Sequence, residues 1–279
     1  IELTSNEAGI VFRKDKTFLL DWMQVYMEAQ ESAGKKDGSQ IKIAMRILKD
    51  YAGEMVTLDQ IDGDFCRGYI TYLLTEYHPK GKDISNYTLH NYYRALNGAL
   101  NSAVRKKKMK ANPFNELEKS EKIRKPESMR SYMTIEEVQA LIDTPMPHEE
   151  YEIVKCAYLF SCFCGLRISD IIKLKWSDVF VDRGQYRLAV SMKKTKEPIY
   201  LPLSPEALKW MPERGGKSSE DNVFDLPSAN TIRMQLKPWA KAAGISKRFS
   251  YHTSRHTFAT MMLTLGADLY TVSKLLGHA

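Results

Sequence analysis

Two short motifs near the end of the chain combine cationic and proton-transferring side chains. His252 and Arg255 are three residues apart, a spacing that puts them on one face of a helix, and a Leu-Gly-His motif ends at His278. Guanidinium groups present forked donors to phosphate oxygens, and histidine exchanges protons near neutral pH. This composition suits a site that stabilises a phosphoryl centre as it gains negative charge.

Two motifs upstream carry related chemistry. Arg167 and Asp170 lie in Gly-Leu-Arg-Ile-Ser-Asp, where the glycine interrupts an apolar run and puts the arginine at a helix junction. Lys194 lies in a basic tip between two predicted strands, where it could protonate a departing oxygen. Two other lysines of the tip, Lys193 and Lys196, could reach the same phosphate.

In order and approximate spacing, these four motifs resemble the catalytic domain of tyrosine recombinases, the phage and transposon integrase family. The resemblance covers about residues 132–279. It implies a site-specific recombinase that cuts and rejoins DNA by transesterification through a 3′ phosphotyrosyl intermediate. The residues that the resemblance implies as catalytic are Arg167, Lys194, His252, Arg255 and His278.

Two neighbouring residues are expected to support the site. Asp170 follows Arg167 by one helical turn, where it could favour its helix N-terminus or, in our preferred interpretation, orient an active-site group. His256 follows Arg255 directly and therefore points away from its face of the helix. We expect His256 to be structural, with a hydrogen bond beneath the site.

The family's nucleophile is a tyrosine roughly nine residues beyond the Leu-Gly-His motif, and residues 1–279 contain no such position. Tyr270 precedes His278 in an amphipathic segment, and we interpret it as a packing residue. Because the chain runs from Ile1 to Ala279, we expect a longer polypeptide whose catalytic domain is truncated here before the nucleophile. This fragment is predicted to bind DNA but not to cleave it.

Composition favours a polyanionic partner. The net charge is +7 and the sequence pI is about 9.0, with 43% hydrophobic residues, as expected for a globular chain. A membrane surface would satisfy the same electrostatics, but no segment has the apolar length of a membrane span and no secretory signal is evident. We therefore expect an intracellular protein, and the resemblance implies a DNA-associated protein of the bacterial cytoplasm.

Hydrophobic periodicity predicts a mainly α fold with a small antiparallel β-sheet, an α+β class. Residues 1–114 are predicted to form a helical domain similar to the family's SAM-like core-binding domain, and residues 132–279 the catalytic domain. The polar segment 115–131 is interpreted as a linker, and a capping box at Thr134 and Glu137 announces the next helix. Ser85 is a predicted N-cap for a helix that continues to Lys110 before Asn112-Pro113 ends it.

Cysteine usage indicates no disulfide or metal framework. Three of the four cysteines, Cys156, Cys162 and Cys164, lie in one apolar run and are expected to be reduced core residues, and Cys66 lies in a separate predicted helix. The resemblance likewise implies no metal and no cofactor, since the guanidinium groups neutralise the phosphate.

Basic residues on both sides of the predicted domain junction are expected to contact DNA phosphates. The predicted DNA-binding residues are Lys106, Lys107, Lys108, Lys110, Arg124 and Lys125, with further linker cations at Lys119, Lys122 and Arg130. The resemblance implies double-stranded DNA as partner, a homo-oligomer on DNA that is expected to be a tetramer, and no membrane. Accessory DNA-bending proteins are considered as additional partners.

Three other functions are considered. A noncatalytic DNA-binding regulator could keep the same fold without a nucleophile. A type IB topoisomerase would share the chemistry, but the core-binding domain favours strand exchange. A metallohydrolase could use His252, His256 and His278 as zinc ligands, but the acid of a His-Glu-x-x-His motif is missing.

Overall fold

The structure is a computed structural model, and it describes residues 3–5, 11–13, 16–35, 38–127, 130–191 and 198–277. Contacts divide the chain into two compact units, Ile1–Ser128 and Met129–Ala279. The prediction of a mainly α fold with a small antiparallel sheet is confirmed. No helix of the described residues has the length and apolar character needed to cross a membrane.

The first unit contains a short antiparallel pair of strands and four helices. The elements are β1 (Leu3–Ser5), β2 (Val11–Arg13), α1 (Leu19–Ser32), α2 (Gly38–Ala52), α3 (Gly63–Thr75) and α4 (Asn86–Arg105). Apolar residues at helical spacing face one core, and the buried Trp22 indole donates a hydrogen bond to the Ala99 carbonyl at 2.8 Å, which ties α1 to α4.

Helix α4 begins where predicted and ends earlier. The Ser85 hydroxyl accepts a hydrogen bond from the Thr88 amide at 3.3 Å, as an N-cap does. The prediction that α4 continues to Lys110 is wrong, because Lys107 adopts a positive φ of 58° and the Lys108 amide turns back to the Ala103 carbonyl.

Part of the predicted linker 115–131 packs against the first unit. Leu117 and Ile123 are buried in the core that contains α1–α4, and the Ile123 carbonyl is 2.8 Å from Nδ1 of His90. Because most residues of this segment are polar, the sequence did not predict that these two apolar side chains would be buried. The exact bounds of the linker stay a prediction.

The second unit is built around α6, a helix that is buried along most of its length. Its elements are α5 (Ile135–Asp143), α6 (Glu152–Cys164), α7 (Ile168–Ile171), β3 (Val179–Asp182), β4 (Gln185–Ser191), β5 (Pro198–Pro202), α8 (Pro205–Lys209), α9 (Ala229–Ala242), α10 (Tyr251–Thr264) and α11 (Leu269–Leu275). The strand order is β3-β4-β5, antiparallel throughout, and Leu188 pairs with Leu201 on the buried face. The predicted capping box is confirmed, since Thr134 and Glu137 each accept a hydrogen bond from the other's amide.

The cysteines behave as small core residues, as predicted. All four are free thiols; Cys66, Cys162 and Cys164 are buried, and Cys156 is half-buried. Burial raises the pKa of Cys164 to about 12, so its thiol stays protonated and unreactive.

Candidate active site

Helix α10 is held against α6 by hydrogen bonds between buried groups. The Tyr251 hydroxyl donates to the Ala157 carbonyl at 2.7 Å and lies 2.9 Å from the Ser161 hydroxyl. The first turn of α10 is closed by Ser250, whose amide donates to Oγ1 of Thr253 at 3.0 Å. These contacts orient the turns of α10 that carry His252 and Arg255.

Arg255 is a buried arginine, with 3% of its surface exposed. Its Nη1 donates to the Gly165 carbonyl at 2.8 Å, and its Nη2 donates to the Leu276 carbonyl. Gly165 ends α6 and Leu276 ends α11, so one guanidinium satisfies the last carbonyls of two helices. The side chain is therefore fixed before any ligand binds.

Arg167 lies close to Arg255, although the two are 88 positions apart along the chain. Arg167 is the half-buried N-cap of α7, two residues after the glycine that binds Arg255. Burial, followed by repulsion from Arg167, lowers the pKa of Arg255 to about 10. At a pKa of about 10 the Arg255 guanidinium stays protonated at neutral pH, and together with Arg167 it forms a local excess of positive charge.

Asp170 balances part of this charge. Its carboxylate acts to raise the pKa of Arg255, in opposition to burial and Arg167. Its Oδ1 accepts a hydrogen bond from the Ser169 hydroxyl at 3.1 Å, and its Oδ2 is buried with no hydrogen-bond partner in the described residues. Its position fits the predicted orienting role, which stays a prediction.

The rings of His252 and His256 form an edge-to-face pair on α10, with centroids 4.6 Å apart and planes at 84°. Burial and the positive charges of Arg255 and Arg167 lower the pKa of His252. Burial and His252 lower the pKa of His256. Both rings are therefore neutral at pH 7, and the exposed His252 can accept a proton or a hydrogen bond. The described residues contain no group of three metal-ligating side chains.

Arg130 is a member of this site that sequence reasoning assigned to the linker. Its charge lowers the pKa of both His252 and His256. The segment that follows it is tied to α10, because the Met133 amide donates to Oγ1 of Thr257 at 2.9 Å. The sequence contains one indication that Arg130 belongs to the second unit: it lies only four residues before the capping-box residue Thr134, where the next helix begins.

The structure thus brings together Arg167, Asp170, His252, His256 and Arg255. The predicted catalytic residues Lys194 and His278 lie outside the described residues.

The predicted DNA-binding residues are all exposed on the first unit, namely Lys106, Lys107, Lys108, Lys110, Arg124 and Lys125. Tyr270 is 71% exposed, so its interpretation as a packing residue is wrong within the described residues.

Comparison with known proteins identifies the family. Residues 131–279 match the phage integrase family, and residues 18–125 match the phage integrase SAM-like domain. The chain therefore belongs to the phage integrase family, which confirms the resemblance drawn from the four motifs.

Curated relatives include recombinases of the Xer type. The chain is 34% identical to tyrosine recombinase XerD of Halalkalibacterium halodurans over 158 residues, which cover 53% of this chain and 53% of that protein. It is 28% identical to tyrosine recombinase XerC of Pelobacter propionicus over 237 residues, 81% of this chain and 74% of that protein. The match thus spans about half the length of the XerD relative.

Solved structures share the fold. The integrase of transposon Tn1549, in complex with circular intermediate DNA, gives a TM-score of 0.73 at 16% identity and covers 94% of this chain and 92% of that one. A lambda integrase dimer bound to a core site gives 0.67 at 22% identity, with coverage of 94% and 92%.

Gly165 allows a test of the close packing around Arg255. Its φ is +73°, and an added Cβ would lie 2.6 Å from Cδ1 of Phe258. Gly165→Ala should therefore destabilise the protein by about 2 kcal/mol or more, from the left-handed backbone and the clash together. Urea unfolding measures the change.

Gly244→Ala is the matched control. Gly244 has φ +74° but nothing within 4 Å of an added Cβ, so only the backbone cost applies there. Equal destabilisation by the two variants would contradict the tight contact between Gly165 and α10.

Arg130→Gln should raise the pKa of both His252 and His256, because one positive charge that opposes their protonation is removed. NMR titration of the ring protons gives the two midpoints, which in the unaltered protein should lie below 6.5. In the folded state the lowered pKa disfavours the proton, so stability is lost as the pH falls below the unfolded value of about 6.5. The variant should lose less stability over that range.

Arg183→Gln is the control for this titration, since Arg183 is an exposed arginine of the β3–β4 turn and is not among the charges acting on either ring. Identical histidine midpoints in Arg130→Gln and the unaltered protein would refute the assignment of Arg130 to the site.

Proposed function

We propose that this chain supplies the DNA-binding and catalytic parts of a site-specific tyrosine recombinase. The observation that carries the proposal is the convergence of Arg167 and Arg255, from separate helices, on one electropositive site with Asp170 and a neutral His252. Family membership and the XerC and XerD relatives support the same conclusion.

In the proposed reaction, a tyrosine oxygen attacks the scissile phosphorus and the bond from phosphorus to the 5′ oxygen breaks. The 3′ phosphotyrosyl link forms, and the leaving 5′ oxygen takes a proton. A 5′ hydroxyl later attacks the same phosphorus, restores a phosphodiester and releases the tyrosine, so the bond energy is conserved without ATP.

The proposed roles of the described residues follow from their charges and their positions in the site. Arg167 and Arg255 stabilise the non-bridging oxygens as the phosphorus becomes pentacovalent. His252, neutral at pH 7, accepts the tyrosine's proton or a hydrogen bond. Asp170 limits the mutual repulsion of the arginines and orients them.

Two further roles rest on the family resemblance alone. Lys194 is proposed to protonate the leaving 5′ oxygen, and His278 is proposed to bind the phosphate. The nucleophile is proposed to be the tyrosine that the family carries after the Leu-Gly-His motif. No role for a metal ion is needed in this scheme, because the guanidiniums supply the positive charge.

The first unit is proposed to act as a core-binding domain. Its exposed lysines at the end of α4 would contact phosphates, so binding should weaken steeply with salt. The similar lambda integrase is known as a tetramer bound to a Holliday junction. By analogy, this chain is proposed to form a homotetramer on double-stranded DNA in the bacterial cytoplasm, with accessory DNA-bending proteins as additional partners.

Arg167→Ala is the direct test. Arg255 also holds two helix ends, so its loss would mix catalysis with folding, whereas Arg167 is half-buried at a helix start. In a protein that includes the family tyrosine, we expect covalent adduct to form on a nicked suicide duplex at a rate about 100-fold lower, or lower still. Duplex affinity should change by less than about threefold, because phosphate contacts elsewhere dominate binding.

The duplex would carry the site that the protein selects from a random-sequence pool, and Arg183→Ala would serve as control. Equal adduct formation by Arg167→Ala and the unaltered protein would refute the assignment. DNA binding with no adduct from the unaltered protein would favour the noncatalytic regulator instead.

A further inference from the structure

A second basic site lies in the same unit, between α9 and the loop that leads to α10. It is a cavity of about 470 Å³. Its lining residues are Arg233, Lys237, Ala240, Ile245, Lys247, Arg248, Phe249 and Ser250. Neither the four motifs nor the predicted DNA-binding residues include any of its cations. We call it the α9 cavity.

Within the part of the chain that the structure describes, three positive charges of the α9 cavity have no carboxylate partner. Nζ of Lys247 lies 2.5 Å from Oε2 of Glu137, which neutralises that lysine. Arg233 donates to the neutral Asn230 side chain at 2.8 Å and keeps its charge available. Among the described residues, Lys237 and Arg248 form no ion pair, and both are exposed.

The floor of the α9 cavity is rigid. Ala240 and Ile245 are buried, and the Ile245 amide donates to the Ala240 carbonyl at 2.9 Å. The Phe249 ring packs on Tyr158 and Trp239, with centroids 4.9 and 6.2 Å away. Basic side chains on a backbone held in this way bind an anion with little ordering of the loop.

The cavity lies next to the start of the helix that carries the candidate active site. Ser250 lines the cavity and also closes the first turn of α10, which carries His252 and Arg255. From Ser250 to Arg255 the helix advances by roughly 7.5 Å. An occupant of the cavity therefore lies within a few nucleotides of the phosphate at Arg255.

We propose that the α9 cavity binds a backbone phosphate of DNA near the scissile phosphate, through Lys237 and Arg248 with support from Arg233. The occupant is a sugar-phosphate segment rather than a small anion, because the volume far exceeds that of one phosphate ion and the cations lie at an exposed rim. Such a contact sets where along the strand the scissile phosphate meets the two arginines. The inference rests on the proposed function.

The test measures the affinity for a mixed-sequence duplex of about 30 base pairs, at salt concentrations from about 50 to 300 mM. Each of Lys237→Gln and Arg248→Gln should weaken binding by about 3- to 10-fold at the middle of this range and reduce the salt slope by about 0.9; the double variant should lose nearly twice that slope. Both residues are exposed, so the variants should fold, and thermal unfolding verifies this.

Lys241→Gln is the matched control, because Lys241 is an exposed lysine of α9 that does not line the cavity. Its salt slope should equal that of the unaltered protein. A double variant with the slope of the unaltered protein would overturn the proposal, as would an equal loss in Lys241→Gln.

Inorganic phosphate separates DNA from a small anion as the occupant. Calorimetric titration with phosphate should give no binding that depends on Lys237 and Arg248 at micromolar concentration. Tight phosphate binding together with unchanged duplex slopes would show a small-anion site and overturn the proposal. Failure of the unaltered protein to bind any duplex would instead refute the proposed function.

Discussion

The geometry of the site depends on the buried hydrogen bonds of one guanidinium. Arg255 extends from α10 and donates to the last carbonyls of α6 and α11 at Gly165 and Leu276. Each carbonyl at a helix end needs a donor, and buried hydrogen bonds to a charged group contribute about 1.5–3 kcal/mol. The same contacts fix the start of α7 nearby, since Arg167 follows Gly165 by two residues.

This arrangement has an electrostatic cost that an anion would remove. Burial and Arg167 lower the pKa of Arg255 to about 10, and this lowering corresponds to roughly 3 kcal/mol against its protonated form. A phosphate between the two arginines would attract both guanidiniums, and these two attractions would outweigh their mutual repulsion. The folded protein already holds the two like charges together, and the electrostatic free energy of doing so is part of the free energy of folding. The site therefore needs little reorganisation when negative charge develops on the phosphate.

Sequence reasoning succeeded where residue type and local spacing carry the information. The His252 and Arg255 pair follows from helical periodicity, and the Thr134 capping box follows from a local pattern. It failed where tertiary contacts decide. The backbone conformation of Lys107 ended α4 early, Leu117 and Ile123 packed from a polar segment, and α8 had no periodic signal in its five residues. Tyr270 had the spacing of a packing residue but found no core.

The sequence did not predict the position of Arg130 or the α9 cavity, for a related reason. A single arginine in a basic segment is usually a solvated charge, and it is a tertiary contact, the hydrogen bond from the Met133 amide to Thr257, that holds the segment after Arg130 against α10. The cations at Lys237 and Arg248 come from a helix and a loop whose common position is set by Phe249, Tyr158 and Trp239. Aromatic packing deep in the second unit thus determines where its surface charges meet a polyanion, a relation that depends on three-dimensional contacts rather than on spacing along the chain.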